Sequence, residues 1–234
     1  MTLKILHVSD IHIRKLKYHT EYREVFAQLY EKAAAEKPDI ILNTGDTFHT
    51  KTDLSSEAVQ MMSELFSNLA DIAPFHMILG NHDMNLRSLG RLDAISPVVD
   101  NLNHPNIHFH KYSDVISLTD DIDMHILSIV DPDNWTKTPN KKKTNIAVYH
   151  GSVKGVKTDM GWAMEHGDID ISELNKYDFA LLGDIHKTNQ MVNSNPRFRY
   201  PGSLVQQNHG ETNDKGFIVW EIENKDSYGV RHCV

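Results

Sequence analysis

Cysteine is nearly missing from this 234-residue chain: Cys233 stands alone. No intrachain disulfide can form, and a thiolate metal cluster is excluded. No apolar run approaches the ~20 residues that span a bilayer. Met1-Thr2-Leu3-Lys4 leads straight into a strand-like segment rather than a signal peptide, so a reducing, cytoplasmic setting is expected. Positive charge is also short, with 24 Lys and Arg against 32 Asp and Glu and a formal net charge of −8. That balance argues against a generic polyanion binder, whose domain is usually basic. It leaves room for a nucleic-acid enzyme that gathers positive charge locally through bound cations. Repeats, low-complexity tracts and interdomain linkers are absent, which predicts one domain over 1–234.

What the chain does have is an ordinary globular composition, 40% hydrophobic and 24% charged, together with 15 histidines. Histidine suits metal ligation and proton transfer near neutral pH. The first third alternates strand and helix signals. Leu3–Ser9 is an apolar run. Thr20–Glu36 has helical periodicity, with Tyr22, Val25, Phe26, Leu29 and Ala33 on one face. Pro38 stops that helix, Asp39–Asn43 reads as a buried strand, Ser55–Ala70 as a helix and Phe75–Leu79 as a strand. This order implies neighbouring parallel strands covered by helices. Beyond residue 105 strand candidates crowd together: Ile107–His110, Val115–Leu118, Met124–Val130, Asn145–His150, Phe179–Leu182, and a closing hairpin of Gly216–Glu223 and Tyr228–Cys233. The expected architecture is α/β, two mixed sheets packed together with helices outside.

Five polar clusters share one placement. Asp10-Ile11-His12 follows the first strand, Gly45-Asp46 the second, and Gly80-Asn81-His82-Asp83 the third. His150 ends another strand, and Gly183-Asp184-Ile185-His186 follows Phe179–Leu182. Loops beyond the carboxyl ends of parallel strands converge on one crevice, so all five clusters can face one another. Their carboxylates and imidazoles suit Mn²⁺, Fe²⁺ or Zn²⁺, and one carboxylate can bridge two ions ~3.5–4 Å apart, the spacing of phosphoryl displacement. The glycines at 45, 80 and 183 allow close backbone approach.

These motifs resemble those of the calcineurin-like metallophosphoesterases, over nearly the whole chain. Gly45-Asp46-Thr47-Phe48-His49 and Tyr200-Pro201-Gly202-Ser203-Leu204, with Gln206-Gln207 and Lys215-Gly216-Phe217, narrow the likeness to the SbcD-type DNA-repair exonucleases, including phage-type nuclease subunits. The resemblance implies a four-layer α/β/β/α sandwich. It implies one metal held by Asp10, His12, Asp46 and His186, and a second held by the bridging Asp46 with Asn81, His150 and Asp184. The ions would activate the attacking water, His82 would stabilise charge or protonate the leaving oxygen, and His49 would act on the nucleic-acid backbone. The implied cofactors are two divalent ions, Mn²⁺ first, with Mg²⁺, Fe²⁺ or Zn²⁺ as alternatives. The implied activity is phosphodiester hydrolysis on DNA, 3′→5′ exonucleolytic with single-strand endonuclease activity. The implied partners are DNA, an SbcC-type SMC-like ATPase subunit and a homodimer, with no membrane. Members usually carry a DNA-capping region beyond the core. This chain ends at Val234 after what reads as the last core strand, so that region is expected to be absent.

Two positions depart from the family pattern. Asp184 stands where most members have a second histidine, and its hard oxygen tilts the site toward Mn²⁺ or Mg²⁺. Arg14 stands where glycine is frequent, reshaping the pocket mouth or offering a phosphate contact. Two rival readings stay open: a phosphatase or nucleotide phosphodiesterase of the same superfamily, and a non-catalytic DNA- or ATPase-binding subunit with a weakened second metal site. Other residues take plainer readings. Asp83 is a structural partner in its turn, and His104, His108 and His110 form a solvated strand face. Arg87 and Arg91 are helix-surface residues or phosphate contacts. Lys137–Lys157 holds six lysines and no acid around His150, which is either a phosphate-backbone contact or a solvated loop.

Overall fold

The computed structural model describes residues 2–52, 54–157 and 164–234. Met1, the start of the expected leaderless N-terminus, lies outside them. The chain opens as expected: β1 (Leu3–Val8), α1 (His19–Glu36), β2 (Ile40–Asn43), α2 (Ser56–Ile72) and β3 (Phe75–Ile78). Local chemistry sets the helix ends. Ser55 caps α2 by accepting a hydrogen bond from the Ala58 amide, and α1 stops at Lys37, which is left-handed (φ 51°) just before Pro38. A short α3 (Ser96–Leu102) precedes β4 (Ile107–His110). Then come β5 (Asp114–Ser117), β6 (Ile122–Leu127), β7 (Thr144–His150), β8 (Phe179–Gly183), β9 (Gln190–Val192), β10 (Asn195–Tyr200) and the hairpin β11 (Phe217–Ile222) with β12 (Tyr228–Cys233).

Two six-stranded mixed sheets result, ordered β12-β11-β1-β2-β3-β4 and β5-β6-β7-β8-β10-β9. In the first, β1 through β4 run parallel and β11 joins β1 antiparallel. In the second, β6, β7, β8 and β10 are parallel, with antiparallel β5 and β9 at the edges. Side chains alternate across each strand, so the sheets meet on one set of apolar residues and show another set outward. Ile5, Leu42 and Trp220 from one sheet pack against Met124, Val148 and Phe179 from the other.

The two outer layers differ. Leu6, Ile41, Met77 and Val219 pack beneath Phe26, Leu29, Leu65 and Phe66 of the helices. The outer face of the second sheet, with Ala147, Tyr149 and Leu182, is covered by loop residues and single 3-10 turns bearing Val153, Leu174 and Ile185. The expected arrangement of two mixed sheets flanked by helices holds, with the long α-helices on one side among the described residues. Among those residues, too, no helix is long and apolar enough to cross a membrane.

Two sequence expectations are corrected. Lys141–Lys143 do not flank His150. They precede β7, whose seven residues separate them from His150 by about 20 Å at ~3.3 Å per residue, and Lys143 pairs with Asp123 (2.8 Å). His108 and His110 do not form a solvated face. They stack on His76 of β3 (ring centroids 4.6 and 5.2 Å apart) and are half-buried.

Candidate metal centre

The parallel strands β1, β2, β3, β7 and β8 end at one edge of the sandwich, and the five polar clusters follow them there. The loops after β1 and β2 continue the sheet ladder past the strand ends. Asp10 N–H donates to the Gly45 carbonyl (3.1 Å), His12 N–H to Asp46 (3.0 Å) and Ile13 N–H to Thr47 (2.8 Å). That register brings Asp10, His12 and Asp46 together. It also holds Asp10, His12 and Asp46 at φ near 50°, and Asp184 sits at φ 101°. Non-glycine residues rarely adopt positive φ, and such strain gathers where a side chain must be aimed. Close approach fixes the glycines. A Cβ on Gly80 would fall 2.0 Å from Asp46 Oδ1, and one on Gly183 would fall 2.3 Å from the Thr44 carbonyl.

The side chains form two overlapping groups. In one, His12 Nε2 lies 3.0 Å from His186 Nε2, 3.5 Å from Asp46 Oδ2 and 3.8 Å from Asp10 Oδ1. His186 Nε2 is also 3.8 Å from Asp10 Oδ1. In the other, His150 Nε2 lies 3.4 Å from Asp46 Oδ1 and 3.9 Å from Asp184 Oδ1, and Asn81 Nδ2 lies 3.5 Å from that same Asp184 oxygen. Asp46 thus offers one oxygen to each group, as a bridging carboxylate does. The His82 amide steadies it with a hydrogen bond to Oδ1 (2.8 Å). Asp10–His12–His186 and Asp10–Asp46–His150 each converge closely enough to share one ion.

Donor chemistry fits divalent cations. Asp10, Asp46, His12 and His150 are buried. His150 donates Nδ1–H to the Thr44 carbonyl (2.7 Å), which leaves Nε2 as the nitrogen aimed inward. Among the described residues that Nε2 is buried with no hydrogen-bond partner, as is Asn81 Oδ1. Buried polar atoms are nearly always paired, and a cation held between these two groups would satisfy both atoms. Electrostatics agree. Burial works against it, yet His150 and His12 hold the Asp46 carboxyl well below the carboxylate range. Burial likewise opposes protonation of His150, but Asp46, Asp10 and Asp184 hold it well above its ordinary value. Burial, against His150 and reinforced by Asp10 and Asp46, pushes Asp184 up to about 6. Closely set carboxylates of this kind call for positive charge between them.

His82 and His49 stand beside the groups. His82 Nδ1 is 2.7 Å from the His49 carbonyl, its ring lies 4.9 Å from that of His12, and the His49 ring stacks on it at 5.8 Å. Asp83 takes the structural place expected of it. It is fully buried and turned away, accepting from the Thr47 and Phe48 amides with Oδ1 (3.0 and 3.1 Å) and from Gly80 with Oδ2 (3.0 Å). Arg14 bonds the Gln207 carbonyl. Sequence reasoning missed Glu211, whose Oε1 lies 3.1 Å from His186 Nδ1. Its only signal was its place among Ser203, Gln207 and Lys215, which converge on its other oxygen.

The fold and this edge-of-sheet cluster define a phosphoesterase architecture. The chain belongs to the calcineurin-like phosphoesterases, whose family model matches residues 3–188. It is 38% identical over 95% of its length to "Uncharacterized protein R555" of Acanthamoeba polyphaga mimivirus, of which it spans 18%. It is 28% identical over 79% of its length to the DNA double-strand break repair protein Mre11 of Saccharolobus solfataricus, of which it spans 49%. Its fold is similar to that of a dimetal phosphatase from Danio rerio, at 10% identity, with a TM-score of 0.59 over 97% of this chain and 98% of the other.

Proposed function

We propose that the chain is a metal-dependent DNA nuclease of the SbcD type, hydrolysing phosphodiester bonds at a binuclear centre. The observation that carries the reading is the shared Asp46 carboxylate, with Asp10, His12 and His186 on one side and Asn81, His150 and Asp184 on the other. Divalent ions bound there, Mn²⁺ first, supply Lewis acidity, an activated water and neutralisation of phosphate charge. The chain's own residues do the rest. His82 commits Nδ1 to the His49 carbonyl, so its Nε2 is the free nitrogen that gives or takes a proton at the bridging or leaving oxygen. In this reading His49, exposed and stacked on His82, meets the strand backbone. The likeness to an archaeal Mre11 favours DNA over a phosphomonoester as substrate.

Charge around the centre also favours an extended substrate on one side only. A cavity of about 610 Å³ beside Asn81 and His150 is lined by Asp133, Asp168, Asp170 and Glu173, which repel phosphate. Near His49 the lining turns basic, with Arg14 and Lys15, while Lys51 bonds the Asn81 carbonyl (2.9 Å). The strand backbone enters along that basic side. An SbcC-type ATPase and a second copy of the chain complete the proposed assembly, in the cytoplasm of a cell or infected host.

The test compares hydrolysis of linear duplex DNA, single-stranded DNA, a small phosphodiester and a phosphomonoester, with Mn²⁺, Mg²⁺ or Zn²⁺. His82→Ala is expected to lower kcat about 10²–10⁴-fold while both ions stay bound. Preference for the monoester overturns the nuclease assignment in favour of a phosphatase. A purified chain that takes up no metal supports the non-catalytic alternative instead.

A further inference from the structure

We propose that Glu211 is a positioning residue: its carboxylate orients His186 and sets how firmly the Asp10–His12–Asp46–His186 group retains its ion. The proposal rests on the binuclear reading above. The three imidazoles aimed at the centre are not equally secured. The side chains of His12 and His150 are 2% and 1% exposed and packed in place, whereas His186, on the loop after β8, is 30% exposed. Packing, which includes the edge of the His12 ring at 4.9 Å, restrains that ring less than the other two. Glu211 Oε1, 3.1 Å from Nδ1, takes up the restraint. With Nδ1–H donated to a carboxylate, the lone pair falls on Nε2, which faces His12 Nε2 and Asp10. The same hydrogen bond raises the ring's basicity as a ligand. His150 gets only a neutral carbonyl in the equivalent place.

Glu211 is held rigidly for this task. It is buried, and its second oxygen accepts from the Lys215 ammonium (2.9 Å), the Gln207 amide (2.9 Å) and the Ser203 hydroxyl (3.2 Å). Lys215 Nζ also donates to the His186 carbonyl (2.8 Å), so carboxylate, ammonium and imidazole close a ring around one side chain. A buried ion pair is a weak way to gain stability, since an apolar pair of like volume serves as well. Its placement against the least secured imidazole points to orientation instead. The same arrangement gives the 200–217 stretch a physical purpose: it is the backing of His186.

Calorimetric Mn²⁺ titration of chelator-stripped wild type, Glu211→Gln and Glu211→Ala tests this. Glu211→Gln is nearly isosteric and keeps the volume filled, and melting of the metal-free protein checks that each variant is folded. Both variants are expected to weaken one of the two binding steps about 10- to 100-fold, with the other step unchanged. In Zn²⁺-loaded wild type, long-range proton–nitrogen spectra are expected to show His186 protonated at Nδ1. A wild type that binds no ion sinks the metal reading and this proposal with it. A wild type that binds two ions alongside folded variants that bind them equally well, or a His186 ring protonated at Nε2, overturns this proposal alone.

Discussion

Replacing Asp83 by alanine removes no candidate ligand, yet it is expected to be among the most damaging single changes near the centre. The carboxylate is fully buried and accepts three backbone hydrogen bonds, from Thr47, Phe48 and Gly80. Two of these donors follow β2 and one follows β3, so one side chain ties the Asp46 loop to the His82 loop. Alanine leaves three buried N–H groups without acceptors, each costing about 1–3 kcal/mol. Independent losses would reach about 9 kcal/mol, but the vacated space faces three donors, enough to hold a water that recovers part of the cost. The net expectation is about 3–5 kcal/mol, a large share of a domain's ~5–15 kcal/mol. Asp83→Asn keeps an oxygen for Thr47 and Phe48 but turns an NH₂ toward the Gly80 N–H, so its cost is about 1–3 kcal/mol. Urea unfolding of the chelator-treated proteins at fixed pH measures both, with an unchanged slope confirming that the same transition is compared. A loss below about 1 kcal/mol for Asp83→Ala would refute the view that these bonds join the two loops.

Two further outcomes follow from the same structure. Burial first, then His110 and His108, lower His76 to about 3 from an ordinary 6.5. A histidine whose folded value is depressed contributes stability that is complete above 6.5 and drains away as pH falls toward 3, because only the unfolded chain binds the proton there. At pH 5 this amounts to about 2 kcal/mol at 1.36 kcal/mol per pH unit. The stability difference between wild type and His76→Phe, both metal-free, should therefore move by that amount in the variant's favour between pH 7.5 and 5; a constant difference would count against a buried neutral ring. Neutralising Lys141 and Lys142, at the far end of β7 from His150, should leave DNA affinity and its salt dependence unchanged. A flatter salt slope would show that the strand reaches that far.

The sequence made the centre more legible than its surroundings, and the reason is physical. Asp10, His12, Asp46, Asn81, His150 and His186 each follow an apolar run, and parallel strands carry whatever follows them to one edge. Strand recognition therefore located the candidate site. The first five elements were readable because Tyr22, Phe26 and Leu29 repeat with the period of a helix, and Ile40, Ile41 and Leu42 form the continuous apolar run of a strand buried on both faces. β10 was not, because Asn195-Pro196-Arg197 carries no apolar alternation and is held by pairing to β8. α3 was lost for a similar reason: seven residues give too few turns for a period to show. Glu211 could not be singled out from sequence, since a buried carboxylate is distinguished by what converges on it, and Ser203, Gln207 and Lys215 do so only in three dimensions. Lys141–Lys143 misled in the opposite way. Closeness in sequence to His150 suggested closeness in space, but an intervening strand carries neighbours apart.

Asp184, the departure from the family pattern, sits differently from the other candidate ligands. Its backbone amide donates to both oxygens of Asp10 (3.2 and 3.1 Å), a service any residue at that φ can perform. Its side chain is shorter than the usual histidine and stops 3.9 Å from His150 Nε2. Among the described residues, the tight three-membered group that contains His150 takes in Asp10 and Asp46 rather than Asp184. A second ion would therefore lean on Asp46 and on Asn81, whose Oδ1 is buried without a hydrogen-bond partner among the described residues. A carboxylate at 184 adds negative charge to that position at longer reach, exchanging a directional nitrogen for a harder and less directional oxygen. The two positions should then differ in character: an imidazole-rich one backed by Glu211, and an oxygen-rich one that relies on charge.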